Sequence, residues 1–260
     1  MNRVLNCLLL LLLITQAWPS LAQTDTSKTD TVRLSNVMII PYDERYYLSD
    51  ADREISQNSL ALPDHFRKYF RFQVDRHVQR YVSLNYPCIS LLNDTADELE
   101  ETMYQILSKT GYRYETVIPV EPAINRLLDM DLKLNGDEAK HADSKTASMY
   151  IPVKKDAKYM HAIVRDGDKL FQKLHDKYQV DYFVFLTQFE IKTNYNSCMD
   201  IANKIFRREI MLHFSVYDHT GKVVAGSYAT AYIPSDKNEA SVITGQCFPE
   251  LAKYVAACLP

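Results

Sequence analysis

Residues 206–218 read FRREIMLHFSVYD, and this stretch decides the fold. Ile210, Leu212, Phe214 and Val216 point one way; Glu209, His213 and Ser215 point the other. That period of two is a β-strand with one apolar face. Asp218-His219-Thr220-Gly221-Lys222 follows as a tight turn, with Gly221 where positive φ is needed. Lys222 to Ile233 returns as the partner strand, so the pair is an antiparallel hairpin. Upstream, Asp181 to Ile191 (DYFVFLTQFEI) is apolar enough to be central in a sheet.

Helices surround these strands. Asp168 to Tyr178 places Leu170, Phe171, Leu174 and Tyr178 on one face. Leu62 to Tyr81 repeats Leu62, Phe66, Phe70, Val74 and Val78 every four residues, with Asn58 or Ser59 as its cap. Thr95 to Lys109 opens with Asp97, Glu98, Glu100 and Glu101, which suits the positive end of a helix dipole, and Gly111 lies just past its end. Ala240 to Cys258 reads as a closing helix. Val37 to Pro41 and Cys88 to Leu92 read as strands, with short ones expected at Tyr112 to Val120 and Ala147 to Val153. The predicted order is β-α-β-α, an insertion, then α-β-β-β-α. This is an α/β (α+β) domain with a mixed sheet and a C-terminal antiparallel hairpin.

The domain organisation follows from the flanks. Met1-Asn2-Arg3, the apolar run Leu8–Ile14 and Ser20-Leu21-Ala22 have the form of a signal peptide at 1–22. Cys7 precedes most of the apolar run, which argues against lipidation. Residues 23–31 (QTDTSKTDT) read as a disordered polar tether. Residues 32–258 form one domain, with a polar, aperiodic insertion at about 129–158. No later stretch is long and apolar enough to span a membrane.

Composition narrows the function. The chain of 260 residues is 47% hydrophobic and 24% charged, as a globular domain is. Its formal net charge is −3, and −4 once residues 1–22 are removed, which does not suit nucleic acid. Six glycines leave few places for a phosphate-cradling loop. GxSxG, HExxH, Walker, GxGxxG and CxxC motifs are absent, so no catalytic residue, cofactor or metal site is assigned. Asp129-Met130-Asp131 and Asp166-Gly167-Asp168 echo a calcium loop without its closing Glu. Cys198, His213 and Asp200 carry the side chains of a nucleophilic triad, but no spacing joins them.

Two features suit binding. Opposite the apolar stripe of the first long helix stand Arg67, Lys68, Arg71, Arg76 and Arg80, with Asp75 the only acid among them. On an acidic chain that face suits anionic lipid headgroups, lipopolysaccharide or an acidic partner. Tyr42, Tyr46 and Tyr47 cluster in the loop after the first strand, where exposed tyrosines would suit a ligand or glycan.

Four cysteines follow the leader. Helical spacing separates Cys247 from Cys258 by about 16 Å, which forbids their pairing. The hairpin topology favours a Cys198–Cys247 disulfide. Cys88 and Cys258 either pair or are buried thiols, and four free thiols is the alternative to any bridge.

KLFQKLHDKYQVDYFVFLTQFEI and REIMLHFSVYDHTGKVVAGSYAT, with the opening NVMIIPY and the long helix after it, resemble the periplasmic N-terminal α/β domains of the CsgG/TolB type in Gram-negative envelopes. The resemblance is architectural and covers about residues 32–95 and 160–258. The chain also resembles uncharacterised exported proteins of Gram-negative bacteria. These resemblances imply a periplasmic or extracellular building block of an envelope assembly, or an accessory part of a transport system. Its partner would be an envelope protein or an anionic envelope component. The sequence lacks a lipobox and long amphipathic strands, which departs from a secretion channel. Asp30-Thr31-Val32 and Asp94-Thr95-Ala96 match the short O-glycan acceptor pattern of some such bacteria. The expectation is therefore a non-enzymatic binding or scaffolding module. A stand-alone binder of a small ligand or glycan is the first alternative, and a hydrolase of unfamiliar type the second.

Overall fold

The computed structural model describes residues 35–118, 120, 126, 127, 130 and 156–260. The leader, the tether, the strand expected at Ala147 to Val153 and nearly all of the insertion lie outside the described residues.

The chain runs β1 (Val37–Ile40), a 3₁₀ turn (Glu44–Tyr46), β2 (Tyr47–Ser49), α1 (Asp52–Ser59), α2 (Pro63–Val82), β3 (Cys88–Ser90), α3 (Asp97–Lys109) and β4 (Thr110–Thr116). It continues with β5 (Lys158–Val164), α4 (Gly167–Tyr178), β6 (Tyr182–Asp200), β7 (Ile205–Asp218), β8 (Val223–Pro234), α5 (Ala240–Gln246) and α6 (Phe248–Ala257). The main sheet has the order β3-β1-β6-β7-β8, and β2 adds to β6. The β3-β1-β6 half is parallel and the β6-β7-β8 half antiparallel, so the domain is mixed α/β.

Each face of the sheet buries its own apolar set. On one face Val37, Ile39, Val184, Leu186, Phe189, Leu212 and Phe214 pack against Phe66, Phe70, Val74 and Val78 of α2 and against Phe248, Leu251 and Val255 of α6. On the other, Met38, Ile40, Phe183, Phe185 and Tyr217 pack against Leu99, Met103 and Ile106 of α3 and Leu170, Phe171 and Leu174 of α4. A bulge at Leu186/Gln188 shifts the alternation of β6, which puts Leu186 and Phe189 on the same face.

Several elements depart from the sequence pattern. Asn58 and Ser59 end α1 rather than cap α2; Pro63 starts α2, and the Ser59 hydroxyl accepts the Ala240 N–H at 2.9 Å. The closing helix is two, broken at Cys247 ahead of Pro249. The strand expected at Tyr112 to Val120 is β4, and it pairs with β5 in a second sheet. β5 lies over the polar face of β7. Its Met160 N–H donates to His213 Nδ1 at 3.0 Å, and its Ala162 N–H to Ser215 Oγ at 3.1 Å. Thr187 Oγ1 donates to the Met160 carbonyl at 2.5 Å. His213 and Ser215 are therefore buried.

β6 is 19 residues long and runs on to Asp200; its last two paired positions, Cys198↔Phe206 and Asp200↔Ile205, lie just beyond the last β7–β8 pair, Arg207↔Pro234. The strand expected over Asp181 to Ile191 thus continues nine residues further. The outer part, Asn194 to Asp200, is largely polar, with Tyr195, Met199 and Ile201 exposed near the tip.

Candidate functional site

The parallel half of the sheet sets the site. From β1 the chain passes to α2 on one face; from β3 it passes to α3 on the other. The two connections diverge at the carboxyl ends of β1 and β3. Open α/β sheets leave a crevice at such a switch point. Here it has a volume of about 330 Å³, and Arg71, Leu91, Asp94, Met103 and Tyr104 line it.

Two charged residues of α2 stand here, Arg71 in the lining of the crevice and Asp75 buried outside it. Arg71 is half-buried: Nε donates to the Tyr42 carbonyl at 2.7 Å, and the other nitrogens lie 3.8 Å from Glu44 Oε1 and from Met103 Sδ. One turn on, Asp75 is fully buried. Its Oδ2 accepts from Ser90 Oγ and from Asn93 Nδ2, while Oδ1 has no hydrogen-bond partner. Burial pushes its pKa from 3.8 to about 7, against the opposing pull of Ser90, Asn93 and Arg71. Asp94 frames the same loop by accepting the Ser90 N–H at 2.7 Å and Gln79 Nε2 at 3.1 Å. The crevice thus holds a cation with spare hydrogen-bonding capacity, and one helical turn from that cation a buried carboxyl titrates near neutrality.

The tyrosine loop does not offer the exposed face that its composition suggested. Tyr42 is buried and stacks on Phe189, with centroids 6.0 Å apart. Tyr47 is buried against Phe70 and Phe189, and its hydroxyl donates to Asp52 Oδ1 at 2.6 Å. Tyr46 packs on Tyr112 at 4.4 Å. All three brace the β1 loop. A ligand approaching from solvent meets little of their rings.

The basic face of α2 divides. Arg71 turns into the crevice. Arg67 lies 3.8 Å from Asp52, with its guanidinium 5.8 Å from the centre of the Tyr47 ring. Lys68, Arg76 and Arg80 are exposed, and among the described residues no carboxylate lies within ion-pair distance of them. Asp75, read from the sequence as the one acid on this face, is buried beneath it. Lys68, Phe72, Arg76 and Arg80 recur every four residues and span about 18 Å of helix. Phe72 is 41% exposed, and Leu62 at the head of the helix 77%.

The disulfide reading is overturned. All four described cysteines are free; Cys198 is exposed, and Cys247 and Cys258 are buried. Phe248, next to Cys247, packs on Phe189 with centroids 5.5 Å apart. Cys198 pairs opposite Phe206, six residues along β7 from the Leu212 partner of Phe189, so about 20 Å of strand separates it from that contact. The continuation of β6 past Ile191, absent from the sequence reading, carries Cys198 away from Phe189 and the contact it makes with Phe248. It also separates Cys198 and Asp200 from His213, which pairs opposite Gln188, so the triad does not assemble.

No protein-family model matches the chain, and no curated protein matches it. Among solved structures, the lipoprotein GNA1162 from Neisseria meningitidis aligns over 78% of this chain and 85% of its own, at 12% identity and a TM-score of 0.29. A likeness that loose carries neither fold nor function to this chain. Its own geometry defines a mixed α/β domain with a crevice at the sheet's switch point and a cationic helix face beside it.

Proposed function

We propose that this chain is an exported, non-enzymatic binding or scaffolding module of the cell envelope, and that it docks on an anionic envelope component through the outer face of α2. The supporting observation is the row Lys68, Arg76 and Arg80, exposed and without a carboxylate partner among the described residues, on a chain of net charge −3. Exposed cations beside exposed Phe72 and Leu62 match an anionic surface with an apolar margin. The leader-like residues 1–22 point to the same compartment.

Flotation of the chain without residues 1–22 on vesicles tests this. Binding to vesicles containing anionic phospholipid, none to zwitterionic ones, and weakening by salt are expected. At about 1 kcal/mol per cation near the surface, neutralising the three lowers affinity roughly 150-fold, and K68E/R76E/R80E lowers it further. Binding that ignores lipid charge, or survives the triple reversal, overturns this docking face.

The crevice favours a second reading, a small-ligand binder whose pocket holds Arg71. A ligand-dependent thermal shift that disappears in Arg71→Ala supports it; a shift that persists in that variant rejects the crevice.

A further inference from the structure

At the opposite, amino-terminal edge of β6, three side chains converge from separate elements. His175 belongs to the last turn of α4. That helix ends at Gln179, whose left-handed backbone (φ 57°) bends the chain back, so that His175 Nδ1 donates to the Val180 carbonyl at 2.8 Å. Asp181 comes next. Its Oδ2 accepts the Asn36 N–H at 3.0 Å, and its Oδ1 stands 3.7 Å from His175 Nδ1. His219 is supplied by the β7–β8 turn. Asp218 shapes that turn by accepting the Thr220 and Lys222 N–H groups at 2.9 and 3.0 Å, and Gly221 sits at φ 86°. The His175 and His219 rings lie 4.7 Å apart. One ligand-capable atom from each of the three residues lies within 4.8 Å of the others.

We propose that His175, Asp181 and His219 bind a divalent transition-metal ion, with zinc the best match. Two imidazoles and a carboxylate are zinc ligands; calcium needs six or more oxygens, which this cluster lacks. Zinc bonds of about 2.1 Å in a tetrahedron set ligand atoms about 3.4 Å apart. Reaching that spacing requires the half-buried side chains to turn so that His175 presents Nε2 to the ion. The surroundings already resemble a second coordination shell. The Val180 carbonyl selects the Nδ1–H tautomer of His175, whose lone pair is on Nε2, and Asn36 holds Asp181 in place. Three protein ligands leave one position for water. The ion would tie the end of α4 and the start of β6 to the β7–β8 turn, distant from the α2 face.

The test is calorimetric titration of chelator-treated protein with zinc. One ion per chain is expected. His219→Ala, in a surface turn where the ring makes no hydrogen bond among the described residues, should weaken it at least tenfold, as should Asp181→Asn; His65→Ala, on α2, should leave it unchanged. Cobalt(II) provides a second readout, because its visible absorption in a low-coordinate site should vanish in His219→Ala. Absence of stoichiometric zinc binding overturns the proposal, as does binding unchanged in His219→Ala and Asp181→Asn. Equal weakening in His65→Ala would place the ion elsewhere and overturns it as well.

Discussion

Asp75→Asn removes a fully buried carboxyl, one turn of α2 from Arg71, whose Oδ1 lacks a hydrogen-bond partner. Burial raises its pKa from 3.8 to about 7. The folded protein therefore holds a proton that the unfolded chain releases between those values. The favourable contribution of this group is complete below about pH 4 and declines as pH rises through 7. A shift of about 3 units at ~1.4 kcal/mol each sets an upper limit of about 4 kcal/mol on that loss. Asparagine keeps an acceptor for Ser90 and Asn93 and cannot ionise. The stability of the variant minus that of the wild type should therefore rise by up to about 4 kcal/mol from pH 4 to pH 8, most steeply between 4 and 7. Urea unfolding of both proteins across this range measures the difference, in which other titrating groups cancel. A difference that stays flat, or that changes in the opposite direction, refutes an uncompensated buried carboxyl at this place.

The remaining predictions concern the face of the main sheet that meets the second sheet, and the thiols. Glu190 is buried, which raises its pKa, but His213 Nε2 at 3.5 Å and the Lys192 ammonium outweigh burial and hold it at about 2. Its stabilisation is present above about pH 4.5 and lost as pH falls through 2, so Glu190→Gln should cost up to about 3 kcal/mol at pH 6 and progressively less in acid, by denaturant unfolding. A methyl group at Gly226 would overlap the Tyr159 hydroxyl, so Gly226→Ala should destabilise by about 1–3 kcal/mol, and Tyr159→Phe in the same chain should recover part of it. Thiol labelling of the native protein should modify Cys198 quickly. Cys88, Cys247 and Cys258 should label only on unfolding, because burial pushes the Cys247 and Cys258 thiols up to about 12 and raises Cys88 strongly.

Where an element carried its own apolar period, the sequence was enough. The β7–β8 hairpin, α2 and α4 follow directly from residues two or four apart. β5 was not legible, because it hydrogen-bonds His213 and Ser215 side chains of another strand, and alternation alone assigns such polar residues to solvent. The continuation of β6 past Ile191 was hidden too: residues 192–200 have no apolar face to mark them and are held by backbone pairing and by polar contacts such as Asn194 to Glu209 and Arg208 to Thr193. Of the site, Arg71 and the basic face were visible as charge on one side of a helix. Asp75 was misplaced because the strict four-residue spacing of Phe70, Val74 and Val78 draws the buried stripe too narrow; position 75 lies three before Val78, inside a stripe of ordinary width. The burial of Tyr42 and Tyr47 depends on Phe189, more than 140 residues away, and no local pattern encodes it.

The central claim is that α2 is the docking face, and site-specific photocrosslinking in living cells tests it most directly. A photoreactive residue replaces Lys68 or Arg76 on α2 in one set of proteins and Lys173 on α4 in another. The account predicts adducts with envelope lipids or with one envelope protein from positions 68 and 76, and none of the same species from position 173. Adducts from position 173 alone, or the same adducts from all three positions, would contradict it.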